Sequence, residues 1–288
     1  MSDDRDRQRR KLHAWLGDVE PAWSLLGPQT IAALCSEPPQ LDRVMTIVTD
    51  LAVDEIAGAR GVAAAASLLG HARDAGGLKL TANGYLTRAA IAEIVAGPDW
   101  AAFDIARMFE SSMTVNEADL QPLHFLHRVA QAAGLLRKRH GTLEITRRGV
   151  AMLAPDQRPA LLGLLLRSAL WKVNLAHFDQ AGLGHWPQPM IGLVLWGLSV
   201  AATDWQPRDK LTRLCAIPVE GVLDVYPLVP DFAFEVRALR PLEWFGLVER
   251  QQATTDDPEP PTRYRKSALF DRLLRFDVPV EPAAGPRH

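Results

Sequence analysis

Along this chain the apolar positions recur mostly at spacings of three and four, and alanine and leucine outnumber the β-branched residues, a pattern that predicts a mainly helical protein. Between Leu41 and Ala57 the residues Leu41, Val44, Met45, Val48, Leu51, Ala52 and Ile56 fit one face of an amphipathic helix, with Pro38-Pro39 just before it. A second helix is expected over Val62 to Ala72, stopped by Gly76-Gly77. A third lies between Asn116 and Leu136. Asn116 can cap it, and Asp119 completes a box-like start that sets negative charge at the positive end of the helix. Leu123, Leu126, Ala130 and Ala133 share its inward stripe, which leaves His124, His127, Arg128 and Gln131 to face outward. The thirteen residues Met190 to Ala202 are apolar on every side. They fall short of the ~20 that cross a bilayer, so they read as a helix buried in the middle of the fold.

Strand signals are short. Leu78-Lys79-Leu80 follows the glycine pair, and Leu135–Lys138 and Leu143–Thr146 flank a Gly-containing turn, which is a hairpin pattern. Gly246–Arg250 and Tyr264–Lys266 bracket a polar, proline-rich loop from Gln251 to Thr262 that should be flexible. Three segments share a grammar of helix, glycine, short strand or hairpin, Thr/Lys-containing turn, then helix. They start at Ala75, Ala133 and Trp244, and the third is the most degraded. Helix, then Gly-Leu-(Leu/Val)-x-Arg, hairpin and Ile-Thr-x-x-Gly is how a winged-helix motif reads in sequence. The expected architecture is therefore tandem winged-helix-like units with short β-hairpins, packed around the apolar helix 190–202. Its boundaries are an N-terminal region with a first unit at 1–100, a second unit at 101–185, a degenerate third at 186–277, and a flexible tail at 278–288.

A family likeness rests on Gly76-Gly77-Leu78-Lys79-Leu80-Thr81 with Gly84-Tyr85-Leu86, on Ala133-Gly134-Leu135-Leu136-Arg137, and on Leu143-Glu144-Ile145-Thr146-Arg147-Arg148-Gly149. Over the interval 40–175 the chain resembles the helical tail of uncharacterised plasmid-associated bacterial proteins of the pRiA-plasmid open-reading-frame type. In that family the tail often follows a separate β-rich domain. The resemblance implies a tail region alone, extended at its C-terminus. It carries no established activity and hence no catalytic residues.

Charge and reactive residues narrow the function. The net charge is −2, which disfavours a protein cationic over its whole surface but leaves room for a local basic patch. Cys35 and Cys215 are far apart and read as ordinary buried thiols, not as a disulfide framework or a thiolate metal site. The charged N-terminus has no apolar core of a signal peptide, so a cytoplasmic location and no membrane partner are expected. No phosphate-cradling glycine loop and no nucleophile elbow occurs. The eight tryptophans are widely spaced and read as core anchors. The sharpest feature is the basic hairpin Arg137-Lys138-Arg139-His140 with Arg147 and Arg148 across it. Together with His127, Arg128 and Gln131 on the preceding helix it forms a candidate surface for phosphates and base edges of DNA or RNA. His124 and His127 lack a third nearby ligand, so neither a metal nor a cofactor is expected. The preferred function is a non-enzymatic interaction protein that touches nucleic acid through this wing. A protein–protein scaffold whose wings never meet phosphate is the rival, and an enzyme with an acid/base site near His177, Asp179 and His185 is the weakest alternative.

Overall fold

The computed structural model describes residues 2–38, 40–103, 115–251 and 262–279. The polar loop and the flexible tail expected from the sequence fall largely outside these residues. The described elements are mainly helical with small antiparallel sheets, and they fall into two compact units. The first contains residues 1–48, 174–243 and 247–288; the second contains 49–173 together with Trp244–Gly246. No described helix is long and apolar enough to cross a membrane.

The first unit opens with α1 (Ser2–Leu16) and α2 (Pro28–Leu34), followed by a short strand, β1 (Met45–Ile47). Here the structure departs from the expected helix over 41–57. Only a single 3-10 turn, Leu41–Arg43, precedes the strand, and another, Asp54–Ile56, follows it. The reason lies in Val44, Thr46, Ile47, Val48 and Thr49. β-Branched side chains lose rotamer freedom in a helix and pack better on a pleated surface. Met45 and Ile47 are buried while Thr46 is exposed, the period-two signature of a strand.

The second unit is built from α3 (Arg60–Asp74), β2 (Leu78–Lys79), α4 (Arg88–Val95), α5 (Gln121–Ala132), the hairpin β3 (Leu136–Arg139) and β4 (Thr142–Ile145), α6 (Arg147–Ala151) and α7 (Arg158–Trp171). Its three strands are ordered β2-β4-β3, all antiparallel, so the first two segments of the predicted repeat contribute to one sheet. α5 packs against both α3 and α7. Gly61 lets α3 lie against the Trp244 backbone: a Cβ there would stand 2.8 Å from its carbonyl oxygen.

The rest of the first unit runs in a partly similar order, with additional helices between its first two strands. α8 (Ile191–Ala201) is followed by β5 (Gln206–Pro207), α9 (Arg208–Cys215), α10 (Leu228–Phe234), a π-helical stretch Glu235–Leu239, α11 (Arg240–Trp244), the strands β6 (Val248–Gln251) and β7 (Arg263–Lys266), then α12 (Ala268–Leu273) and β8 (Leu274–Phe276). β8 pairs antiparallel with β1, and the three-stranded sheet is ordered β5-β7-β6. α8 is buried from Ile191 to Leu198, as its all-round apolar sequence predicts, and packs on α2 and α9. Two glycines permit the approach: a Cβ on Gly192 would stand 2.4 Å from the Leu34 carbonyl oxygen, and one on Gly197 would stand 2.9 Å from Cys215 Cα.

The likeness of the two sheets extends to individual hydrogen bonds. Gly134 and Gly246 both adopt a left-handed conformation, with φ of +70° and +77°. After each, a leucine N–H donates five residues back, Leu135 to the Ala130 carbonyl and Leu247 to the Leu242 carbonyl. The Thr146 N–H donates to the Leu135 carbonyl, and the Ser267 N–H to the Leu247 carbonyl. Both hairpins even place a Glu–Arg pair at the same rung, Arg137 opposite Glu144 and Glu249 opposite Arg265. The charge order is reversed between them.

Candidate nucleic-acid interface

The basic hairpin closes through a two-residue turn. His140 and Gly141 both have positive φ, 47° and 77°, the type I′ geometry whose twist matches that of paired strands. The Thr142 hydroxyl donates to the Arg139 carbonyl at 2.6 Å and braces the turn. At the base, Thr146 caps α6. Its hydroxyl oxygen accepts the Gly149 N–H at 3.0 Å, and its own proton goes to the Gly134 carbonyl at 2.7 Å. Gly149 allows α6 to lie against the strand, since a Cβ would fall 2.4 Å from the Leu135 carbonyl oxygen. The first turn of α6, carrying Arg147 and Arg148, is thereby fixed directly behind the hairpin.

The cations of this hairpin are exposed, but they do not form one cluster. Arg137 reaches across the strands to Glu144, with Nη2 to Oε2 at 3.0 Å. Lys138 is paired opposite buried Leu143, so the pleat turns it to the other face, over the Gly84 turn. Arg148 donates to the Ala133 carbonyl at the C-terminus of α5. Arg139 and Arg147 extend into solvent, and among the described residues neither side chain has a hydrogen-bond or ion-pair partner.

The helix before the hairpin corrects the expectation more strongly. Arg128 is exposed and Gln131 half-buried, but His127 and His124 are buried. The His127 Nδ1 lies 2.7 Å from Glu117 Oε1, and the other oxygen of Glu117 accepts the Leu86 N–H. The ring of His124 meets that of Tyr85 edge-on at 5.4 Å. α5 carries apolar partners on more than one side. Phe125 faces Trp244 and Phe245 at ring separations of 5.0 and 6.0 Å, while α3 and α7 flank the helix. The three-and-four stripe identifies the apolar side chains but not how widely their helix is covered. His127 therefore belongs to a buried polar pair and is withdrawn from the surface. The expected capping box does form, with Asn116 and Asp119 bracketing the 3-10 turn Glu117–Asp119.

The segment around His177, Asp179 and His185 is organised by a residue that no sequence pattern singled out. Arg237, on the π-helical stretch, is 1% exposed. Its Nε and Nη2 donate to the two Asp179 carboxylate oxygens at 2.6 and 2.7 Å, and Nη1 donates to the Gly184 and Trp186 carbonyls. Asp179 is thus engaged in a bidentate pair, while His177 and His185 are exposed. A second buried acid on the same stretch, Glu235, holds Arg208 and Arg240. Burial alone would push the Glu235 carboxyl up, but those two guanidinium groups hold it below the usual carboxylate range. Cys35 is half-buried and Cys215 fully buried, and desolvation raises both thiols above their ordinary value. Among the described residues no group of His, Cys, Asp and Glu side chains is placed to hold a metal ion.

Residues 58–159 match the family described as the Y4jL N-terminal domain. The match lies inside the interval over which the family likeness was read, and it contains the basic hairpin. Neither the curated proteins nor the solved structures contain a match to this chain.

Proposed function

We propose that the chain is a non-enzymatic interaction protein built on two winged-helix-like units, and that it contacts the phosphate backbone of DNA or RNA through the β3–β4 wing. The order α3–β2–α4–α5–β3–β4 in one unit and α8–β5–α9–(α10 to α11)–β6–β7 in the other supports the winged-helix reading, as do the repeated hydrogen bonds after Gly134 and Gly246. Because β2 pairs with β4, we read two such units and not three. The observation that carries the function is two exposed guanidinium groups without a partner among the described residues, Arg139 at the tip of the hairpin and Arg147 at the start of α6, with His140 beside the first. Phosphate would be a natural ligand for them, because a guanidinium fork matches two phosphate oxygens.

The same geometry sets the mode of contact. A recognition helix reads base edges with a row of outward side chains, and on α5 Arg128 alone is a fully exposed polar residue, with Gln121 and Gln131 half-buried. The wing would therefore grip the backbone with little dependence on sequence. Fluorescence anisotropy with a random-sequence duplex at about 50 mM salt tests the reading. Binding by the native chain that is lost in the Arg139→Gln/Arg147→Gln variant supports it, and no binding by the native chain refutes it.

The rival scaffold reading draws on a different surface. Val219, Tyr226, Leu228 and Phe232 are exposed in the first unit, with Tyr226 71% accessible, which suits contact with another protein.

A further inference from the structure

The first unit leaves an apolar face open between Val219 and Phe232. Val219, Val225, Tyr226, Leu228 and Phe232 are exposed there, Tyr226 and Leu228 most of all. Leu228 and Phe232 lie one turn apart on α10, so they share one side of that helix. Apolar side chains gathered in this way mark a contact surface, whereas scattered single ones are ordinary. Two exposed carboxylates, Glu220 and Asp224, stand in the same stretch. They speak against a bilayer, whose anionic surface favours basic residues around an apolar contact.

α1 borders this face. It packs on the helical turn Glu220–Leu223, Lys11 pairs with Asp224, and the Trp15 carbonyl accepts Arg213 Nε at 2.9 Å. Only the second half of α1 is anchored by these contacts. Residues 5–10 are exposed throughout. Among the described residues Arg5, Arg7, Arg9 and Arg10 have no ion-pair partner, and Asp6 is the one acid between them. A helix as short as α1 gains little stability from its own hydrogen bonds, so its unpacked half is a segment short of a partner.

We propose that this face is a twofold interface between two copies of the chain, with the arginines of each α1 lying on the aromatic and acidic face of the other. The surface is complementary to itself. A basic arm adjoins an acidic, aromatic face within one unit, and a twofold axis between them sets each against its counterpart. Guanidinium groups suit both parts, because they stack on an aromatic ring such as Tyr226 and pair with a carboxylate such as Glu220. The chain already uses the first of these contacts, with the Arg240 guanidinium 5.8 Å from the centre of the Phe232 ring. The arginine stems would add the apolar area that five side chains alone lack for an interface of standard size. Filled by a second copy, the face would no longer be open to the rival scaffold reading.

Sedimentation equilibrium of the full chain, whose monomer mass is 31.7 kDa, tests this. A reversible dimer with a Kd of about 1–50 µM is expected. Tyr226→Ser/Leu228→Ser should weaken it at least tenfold. Arg7→Glu/Arg9→Glu/Arg10→Glu should do the same, and so should Glu220→Arg. All these side chains are exposed, and far-ultraviolet circular dichroism confirms that each variant is folded. The charge variants carry the sharper test. Mixed together, the triple variant and E220R should associate at close to native strength, because each arm then meets a face of opposite sign. The proposal is overturned if the native chain stays monomeric at about 200 µM, if the Y226S/L228S dimer is as tight as the native one, or if the mixture associates no better than either charge variant alone. Co-sedimentation of a monomeric native chain with phosphatidylserine vesicles would reassign the face to lipid. None of these readouts involves nucleic acid, so the wing assignment stands or falls separately.

Discussion

Replacing Arg237 by methionine should be among the most damaging single changes available in the first unit. The guanidinium is 1% exposed, and its partner carboxylate on Asp179 has no accessible side-chain surface. In Arg237→Met the methionine fills much of the same volume, so the loss is electrostatic and not a cavity. Asp179 would be left as a buried carboxylate with no countercharge, and the Gly184 and Trp186 carbonyls would lose their shared donor. Removing one member of a buried pair costs about 3–5 kcal/mol, and the two orphaned carbonyls push the value towards the upper end. For a unit of this size that corresponds to a fall in Tm of roughly 6–20 °C. The informative companion is Asp179→Leu/Arg237→Met. Exchanging a whole buried ion pair for apolar side chains is often close to neutral, so the double variant should recover most of the loss. Urea denaturation followed by tryptophan fluorescence and circular dichroism measures both. If R237M lies within about 1 kcal/mol of the native chain, or if the double variant is as unstable as the single, the pair does not hold the 179–187 segment as described.

Two further predictions concern packing and pH. Gly192→Ala would force α8 away from the Leu34 carbonyl and the Leu41 side chain, 2.4 and 2.8 Å from the new Cβ, and should destabilise by about 1–3 kcal/mol in thermal melts. Glu235 and Asp231 should respond to acid in opposite directions. The folded-state pKa of Glu235 is lowered, so its contribution is present above the unfolded carboxyl value and is lost as the pH falls through the folded one. The stability gap between the native chain and Glu235→Gln should therefore be widest near neutrality and close below about pH 4. Burial raises the pKa of Asp231, so its ionised form opposes folding above that value. Asp231→Asn should be at least as stable as the native chain at pH 7, an advantage that fades on acidification. Urea midpoints across pH 3–8 measure both, and a gap for E235Q that widens in acid would contradict the assignment.

Elements whose burial is uniform or whose turn chemistry is local were legible in the sequence. α8 was readable because thirteen successive apolar or small residues leave no ambiguity of face, and the β3–β4 hairpin because a glycine turn separates two short alternating runs. The segment 41–57 misled because spacings of three and four also arise by chance in a β-branched run, and only the partner strand Leu274–Phe276, far away in sequence, decides the outcome. His127 misled because a helix stripe reports hydrophobicity and not coverage. Its partner Glu117 sits ten residues upstream, in a turn that looked like a mere helix start. Arg237 had no signal at all. Its importance comes from burial against two carbonyls and a carboxylate that tertiary packing brings to it.

The phosphate-gripping wing is tested most directly by the slope of log affinity against log salt concentration for a random-sequence duplex. Each phosphate neutralised contributes about 0.9 to that slope, so charge removal at Lys138, Arg139 and Arg147 should flatten it by roughly 2–3 relative to the native chain, with the fold unchanged by circular dichroism. A native chain whose binding does not depend on salt, or a triple variant with the native slope, would contradict the account and leave the exposed apolar side chains of the first unit as the better place to look for a partner.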